Sequence, residues 1–202
     1  MAAPGQTPPQ FWQNHNLEPK RGFRFLLEVA TPDGSFKEFL IKSVKKPSFT
    51  INATPHNYLN HTFHYPGRVT WNEINFVIVD TVSDGANATV EVLKMLEASG
   101  YELPVLPGSA GEESGRGSIS KDAAVRTMGS VYIKTLDAEG SEIERWILNN
   151  AWVKSADFGG LDYSSEDLLN VTVTMQYDNA YVSLGAKGGG PAFHPNTPGV
   201  SI

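Results

Sequence analysis

The stretch that decides the fold is NVTVTMQYDNAYV, residues 170–182, in which apolar and polar side chains alternate. A strict period of two predicts a β-strand with one dry face and one wet face. The dry face carries Val171, Val173, Met175 and Tyr177. The wet face carries Asn170, Thr172, Thr174 and Gln176. The wet face consists of uncharged amides and hydroxyls, with a single carboxylate, Asp178, at its end. Such a surface forms only weak hydrogen bonds that water can replace.

The middle of the chain is rich in further β patterns. GFRFLLEVA (22–30) and SFKEFLIKSV (35–44) are joined by the turn sequence TPDG. SFTINAT (48–54) follows, and YLNHTFHYPGRVTWNEINFVIVD (58–80) is interpreted as two strands around Pro66-Gly67. GSVYIKTLD and EIERWILNNAWV are predicted to form a hairpin around AEGS. Trp71, Trp146 and Trp152 each fall in a predicted strand, where we expect them to pack in the core.

One helix is predicted after residue 87, where Asn87 serves as its N-cap and Gly100 ends it. Its apolar side is assigned to Val90, Leu93, Met95 and Leu96, and its polar side to Glu91, Lys94 and Glu97. SKDAAVRTM is either a short helix or the lead-in to a strand. About eight strands, one clear helix and no βα alternation indicate an antiparallel β-sandwich or barrel with one packed α-helix.

The chain divides into a folded middle and two arms. Residues 21–182 are expected to form one β-sandwich domain, with a long loop inserted at 103–119. Residues 1–20 and 183–202 are rich in proline, glycine or polar residues, so we expect them to be extended arms that lie on a partner surface. Their aromatic anchors are Phe11, Trp12 and Phe193.

The composition excludes several classes of function. With 16 basic and 22 acidic residues the net charge is −6, which opposes rather than favours a grip on nucleic acid phosphates. The absence of cysteine excludes disulfides, thiolate metal sites and a cysteine nucleophile. No long apolar run is present, so no membrane span is expected. The stretch MAAPGQTPPQFWQNHN lacks the pattern of a secretory signal, so we expect synthesis and first action in the cytoplasm.

No catalytic or metal-binding constellation can be assembled from the remaining residues. His61 and His64 fall on opposite faces of one predicted strand and therefore do not converge on a metal. The Ser-Gly stretches lack a phosphate-loop ending, and paired acids such as Glu112-Glu113 lie in turn-like segments. We therefore predict a structural or interaction protein that is not an enzyme and needs no cofactor or metal.

Four features in order carry a family resemblance. They are the strand FRFLLEV with its lysine-rich sequel, the hairpin NHTFHYPGRVTWNEINFVIVD, a single helix, and the block WILNNAWVKSADFGGLDYSSEDLLNVTVTMQYDNAYV. Over about residues 20–182 the sequence resembles the tail tube protein of contractile-tailed, myovirus-type bacteriophages. The inner tube proteins of type VI secretion share that fold.

The resemblance implies a virion structural protein that is assembled in the host cytoplasm. Six copies would form a hexameric ring, their sheets joined edge to edge into an inner barrel, and rings would stack into a hollow tube. A contractile sheath would surround the tube, with baseplate and tail-terminator proteins at its ends. A tape-measure protein and then double-stranded DNA would occupy the lumen, and the DNA would pass into the host without specific binding.

Expected site residues follow from this layout. The wet face of 170–176 would line the DNA channel, although a sheet face of this kind can equally face bulk solvent. Sheath contacts are expected on the helix and inter-ring contacts on the arms and the loop. The sheath-facing residues would be Glu91, Lys94 and Glu97. The inter-subunit residues would be Phe11, Trp12, Phe193, Glu112, Glu113 and Arg116.

Two alternatives remain open from the sequence. Within the same fold, the chain could be a baseplate tube initiator, a tail-terminator ring or the inner tube of a related secretion or injection system. In another class, HNYLNH and YPGRVTW could be aromatic loops of a ligand- or carbohydrate-binding β-sandwich.

Overall fold

The computed structural model describes residues 18–31, 34–35, 40–83, 87–101, 117–164 and 166–185. Within these ranges the chain forms eleven strands and two helices. The strands are β1 (Phe25–Thr31), β2 (Gly34–Ser35), β3 (Ile41–Val44), β4 (Phe49–Tyr58), β5 (His61–Trp71), β6 (Ile74–Val79), β7 (Ser130–Leu136), β8 (Glu142–Asn149), β9 (Trp152–Asp157), β10 (Asn170–Gln176) and β11 (Asn179–Leu184). The helices are α1 (Ala88–Ala98) and α2 (Lys121–Met128).

Two antiparallel sheets form the body, and a two-stranded hairpin stands beside them. The five-stranded sheet has the order β11-β8-β7-β1-β2, and the four-stranded sheet has the order β3-β6-β10-β9. Strands β4 and β5 pair only with each other in the described part of the chain. The sequence-based prediction of a mainly antiparallel β fold is confirmed.

The core lies between the inner faces of the two sheets. Leu27, Ile133 and Leu148 come from the five-stranded sheet, and Phe76 and Val173 come from the four-stranded one. Each of these side chains is buried, and removing a comparable large apolar side chain typically costs about 2–5 kcal/mol. The predicted dry face of 170–177 is confirmed, since its four apolar residues are all buried in this layer.

Residues 170–184 cross from one sheet to the other. Strand β10 belongs to the four-stranded sheet, whereas β11 pairs with β8 at the end of the five-stranded sheet. Asp178 lies at the crossing, where it accepts hydrogen bonds from Lys121 Nζ and Asn150 Nδ2. Hydrogen bonds from Lys121 and Asn150 lower the pKa of Asp178. Asp178 therefore fastens α2 to the β8–β9 turn and does not extend the wet face of β10.

Several strand boundaries differ from the sequence-based prediction. Strand β5 runs straight through Pro66-Gly67, and the break comes later, at residues 72–73. The strand tolerates proline because the β4–β5 pairing has an irregular register at this point, between Ile51 and Ala53. A Cβ on Gly67 would lie 2.8 Å from the Asn52 carbonyl oxygen, so this close approach requires glycine.

The single strand predicted over 35–44 is also divided. Its first residue, Ser35, pairs with β1 as the end of β2, whereas Ile41–Val44 form β3 in the other sheet. The predicted hairpin around AEGS is confirmed as β7–β8, but its second run, EIERWILNNAWV, is divided at residues 150–151 into β8 and β9, which belong to different sheets.

Helix α2 packs beside β9 and α1 packs against α2, and each helix buries a small apolar side. The predicted N-cap is confirmed, because the Asn87 side chain accepts a hydrogen bond from Val90 N. The apolar side assigned to α1 is partly wrong. The helix buries Ala88, Val92 and Met95, whereas Val90, Leu93 and Leu96 are exposed. SKDAAVRTM forms α2, a second helix, which ends at Gly129 with φ 65°. A Cβ there would lie only 2.0 Å from the Ala30 carbonyl oxygen.

A buried carboxylate ties three distant segments together on the inner face of β8. Glu144 binds Lys20, which precedes β1, and Lys46, which follows β3, and it also accepts a hydrogen bond from Trp146 Nε1. Desolvation by burial raises the pKa of Glu144, but these hydrogen bonds outweigh it and lower the pKa to about 2. The charge therefore stabilises the joint between the two sheets. None of the described helices is long and apolar enough to cross a membrane.

Candidate assembly surfaces

The outer face of the four-stranded sheet carries the residues predicted to line a channel. Cross-strand pairing places Thr172 beside Val77 and Asp157, and Thr174 beside Asn75 and Ser155. The polar residues predicted on β10 all lie on this face and are partly exposed: Asn170, Thr172, Thr174 and Gln176. We refer to this surface as the outer β10 face.

Charge on the outer β10 face is sparse and partly compensated by an ion pair. Lys154 Nζ forms an ion pair with Glu73 across the end of β10. Asp157 is exposed at the end of β9, where its carboxylate accepts a hydrogen bond from Gly159 N. Hydroxyl, amide and short aliphatic groups line most of this surface, and Trp152, which pairs with Gln176, adds an aromatic ring; none of these groups holds phosphates by charge.

Both edges of the four-stranded sheet lack a further strand among the described residues. Strand β3 forms one edge and β9 forms the other. A groove of about 270 Å³ runs along β9, between this strand and the two helices. Its lining is mostly apolar and includes Leu93, Leu96, Ile119, Met128, Trp152 and Phe158. Unpaired backbone groups beside an apolar groove are suited to receive a strand from another molecule.

The β4–β5 hairpin is a long exposed feature, which the sequence analysis considered only as two separate aromatic loops of a ligand-binding alternative. All of β4 is exposed, and so is β5 up to Thr70. At the root, Trp71 packs on Phe49 with ring centroids 5.6 Å apart and on Tyr177 at 6.0 Å. An isolated two-stranded hairpin is only marginally stable in water, so one this long needs a surface to lie on.

The two faces of the hairpin differ along its length. In the distal half, cross-strand pairs place five ring-bearing residues on one face: His56, Tyr58, His61, Phe63 and Tyr65. Below the irregular register, Phe49, Ile51 and Val69 share the opposite face with Trp71. The signal in the sequence was the two-residue period of these rings, which the sequence analysis divided between predicted strands and two predicted aromatic loops. Exposed apolar surface of this extent is typical of a protein interface.

The residues proposed to meet a sheath lie on α1. Glu91 and Lys94 form an ion pair on the helix surface, and Glu97 is exposed one turn further on. Val90, Leu93 and Leu96 are exposed on the same helix, so this surface is more apolar than the sequence analysis assumed.

Other predicted sites lie outside the described residues or are redefined by the structure. Phe11, Trp12, Phe193, Glu112, Glu113 and Arg116 all fall outside the described ranges. HNYLNH and YPGRVTW are not separate loops, because both belong to the β4–β5 hairpin, whose turn is at residues 59–60. His61 and His64 lie on opposite faces of β5, and the described residues contain no group of three potential metal ligands.

Structural comparison relates the fold to contractile injection systems. A chain from the anti-feeding prophage (AFP) baseplate aligns with a TM-score of 0.58 and 16% identity, covering 85% of this chain and 99% of that one. A chain from the PVC sheath-tube complex of an extracellular contractile injection system gives 0.55 and 15%, covering 83% and 93%. A chain from the PVC sheath/tube terminator gives 0.57 and 15%, covering 83% and 98%.

A type six secretion system protein is a more distant likeness, with a TM-score of 0.41 and 10% identity over 83% of this chain and 89% of that one. No protein-family model matches the sequence. No curated protein matches it either. The resemblance to tail tube proteins is thus confirmed at the level of the fold.

Proposed function

We propose that this chain, having the fold of contractile injection system components, is a structural tube subunit that assembles with copies of itself. The observation that carries the proposal is the pair of open edges on the four-stranded sheet. Strand β3 of one copy would pair with β9 of the next and lie against the apolar groove. A closed ring of such sheets removes every open edge, as a barrel does.

In such a ring the outer β10 face would line the lumen. Its hydroxyl and amide groups form weak hydrogen bonds that water can replace, so a phosphate backbone would pass without being held. We further propose that six copies form the ring and that rings stack into a hollow tube. A contractile sheath would surround this tube, and its lumen would hold a tape-measure protein and then double-stranded DNA. The tube would belong to a phage tail, assembled in the host cytoplasm, with baseplate and terminator proteins at its ends. The role is structural and not catalytic.

The sheath would meet α1. Glu91, Lys94 and Glu97 supply polar contacts there, and the exposed Leu93 and Leu96 add apolar area to the same surface. The arms 1–20 and 183–202 and the loop 103–119 are proposed to reach neighbouring subunits around the central domain.

Disulfide trapping tests the ring contact, because the natural chain contains no cysteine. Ser43→Cys on β3 and Ser155→Cys on β9 place one thiol at each edge, on the outer β10 face. Oxidation should produce a ladder of covalent oligomers that ends at a closed ring, and Lys42→Cys or Asp157→Cys covers neighbouring registers. The matched control pairs Ser43→Cys with Thr172→Cys, which lies on the same face but in a central strand. Monomers from every edge pair would refute the proposal.

Labelling of preformed tubes tests the lumen assignment. Thr174→Cys should react with a small maleimide but be protected from a bulky polymer-linked one. Glu97→Cys on α1 is the control and should react with both reagents. Equal reaction of Thr174→Cys with the bulky reagent would place this face outside the tube and refute the channel.

A second role within the same fold is a single ring that begins or ends a tube. It is favoured by the similarity to the chains from the AFP baseplate and the PVC sheath/tube terminator. Negative-stain microscopy of the purified protein distinguishes the two. Rods indicate the main tube, whereas isolated rings that never lengthen indicate an initiator or terminator.

A further inference from the structure

The two open edges of the four-stranded sheet can pair in more than one way as far as the backbone is concerned. The pairings β3–β6, β6–β10 and β10–β9 are all antiparallel, so β3 and β9 run in opposite directions. A β3 edge can therefore join the β9 edge of a second copy as a regular antiparallel pair. Two β3 edges, or two β9 edges, related by a two-fold axis would form an antiparallel pair equally well. The side chains at the edges must select among these three arrangements.

The β3 edge is basic. Lys42 lies within β3 at the irregular register between Ile41 and Ser43, and Lys45 follows the strand directly. Both lysine side chains are exposed, and neither forms an ion pair with a described residue. No aspartate or glutamate occurs from residue 39 to residue 72. Two β3 edges brought together would therefore place positive charges side by side.

The β9 edge is acidic. Asp157 ends β9 and is exposed, and its carboxylate accepts a hydrogen bond from Gly159 N. Residues 158–169, which connect β9 to β10, add three carboxylates and no basic side chain. The lysine within β9, Lys154, is already held by Glu73 in an ion pair. Two β9 edges brought together would therefore place negative charges side by side.

The charges of the two edges lie in the same cross-strand row of the sheet. Asp157 pairs with Thr172 of β10. The row continues through Val77 of β6 to Ser43 of β3, which is next to Lys42 in the chain. Three strand spacings separate the two ends of this row by about 14 Å. When the row continues into a second copy, the carboxylate at one end meets the lysine at the other.

We propose that these charges select the ring contact, so that the basic β3 edge of one copy binds the acidic β9 edge of the next, with Lys42 beside Asp157. This inference rests on the proposed function and supplies the reason why copies join head to tail. Pairing of two like edges brings charges of one sign together and is disfavoured. A head-to-tail contact adds copies in one direction until the ring closes, whereas a two-fold contact at one edge ends at a dimer.

Matched charge reversals test this selection. Lys42→Glu makes the contact acidic on both edges, and Asp157→Lys makes it basic on both edges. We expect each variant alone to require at least about tenfold more protein than the wild type to form rings. An equal mixture should form rings at the wild-type concentration, because every contact in an alternating ring joins opposite charges. Sedimentation over a concentration series measures assembly, and native mass spectrometry should find the two variants in equal numbers in each ring.

The double variant, Lys42→Glu with Asp157→Lys, exchanges the charges of the two edges. It should form rings by itself but exclude the wild-type protein, because each mixed contact would join like charges. Isotope-labelled wild-type protein mixed with the double variant should therefore stay in separate rings. A loss of stability cannot produce such sorting, so this measurement separates charge selection from a folding defect.

Controls address the local hydrogen bond and charge reversal in general. Asp157→Asn removes the charge but keeps an oxygen that can accept the hydrogen bond from Gly159 N, so it should weaken ring formation less than Asp157→Lys does. Glu97→Lys reverses an exposed charge on α1 that does not line the groove beside β9, and it should leave ring formation unchanged. Circular dichroism should give each variant a melting temperature close to that of the wild-type protein.

The outcomes distinguish the two proposals. Rings of Lys42→Glu and of Asp157→Lys at the wild-type concentration would overturn the charge selection, and so would a mixture that fails to assemble or a double variant that enters wild-type rings. Each of these results leaves the tube proposal standing if disulfide trapping still links the β3 and β9 edges. A wild-type protein that forms no rings and traps no edge contact would refute the proposed function, and this inference with it.

Discussion

Replacing Glu144 with glutamine removes the charge that holds Lys20 and Lys46 at the joint between the two sheets. The folded protein lowers the pKa of Glu144 from 4.5 to about 2. That difference corresponds to about 3 kcal/mol in the free energy of unfolding at neutral pH. Because the two lysine side chains are about half exposed, water screens part of the attraction. We therefore expect Glu144→Gln to destabilise the protein by about 2 kcal/mol at pH 7.

The pH dependence has a defined direction. The pKa of Glu144 is lower in the folded protein than in the unfolded chain, so its charge stabilises the fold fully above about pH 4.5. This contribution is lost as the pH falls toward 2, where the carboxyl group becomes protonated in the folded state as well. The stability difference between the wild-type protein and Glu144→Gln should therefore shrink steadily across that interval.

Urea unfolding followed by tryptophan fluorescence, at pH 7 and at several lower values, measures this difference. Glu73→Gln is the matched control, since Glu73 also pairs with a lysine, Lys154, but both side chains are more than 40% exposed. We expect it to cost less than about 1 kcal/mol at any pH. A cost for Glu144→Gln below about 0.5 kcal/mol, or one that does not change with pH, would refute the reasoning.

Three further predictions concern the fold and are read from thermal or urea unfolding. Gly129→Ala should lower the melting temperature sharply, because the added Cβ would overlap the Ala30 carbonyl oxygen. Gly140→Ala is the control, since Gly140 has a similar φ of 81° but open space around it, and it should cost only about 1 kcal/mol. Equal effects of the two substitutions would contradict the steric explanation. Phe76→Ala should destabilise by about 3–5 kcal/mol, and a loss below 1 kcal/mol would mean that Phe76 is not a core residue. Asp80→Asn should cost about 1 kcal/mol, since the Asp80 carboxylate accepts hydrogen bonds from the first turn of α1, and an unchanged midpoint would count against that role.

Sequence periodicity predicted the elements that have one wet and one dry face. Strand β10 is the clearest example, because burial on one side only imposes strict alternation from Val171 to Tyr177. It could not assign strands to sheets, since alternation is the same whichever neighbour a strand pairs with. The run 35–44 was accordingly predicted as one strand, although its two ends belong to different sheets.

The errors at the hairpin and at α1 have physical causes as well. Proline is normally a signal to end a strand, but β5 belongs to no larger sheet in the described residues and carries Pro66 beside an irregular register. Leu93 and Leu96 have the spacing of a buried helix face, yet they line an open groove. The spacing predicts that Leu93 and Leu96 face an apolar surface. It does not specify whether that surface belongs to the same subunit or to another molecule.

The order of strands along the chain also governs when a subunit becomes complete. Strand β1 gains its main neighbour only with β7, about one hundred residues later, and β6 gains one of its two neighbours only with β10. During synthesis the apolar sides of β1 and β6 stay uncovered until most of the polypeptide has been made, which is a slow and aggregation-prone route. Among the described strands β9 pairs with β10 alone, and it also packs beside α2. In the proposed ring, a half-made polypeptide without β10 would therefore offer no ordered β9 edge to a neighbour, and only finished subunits would be incorporated.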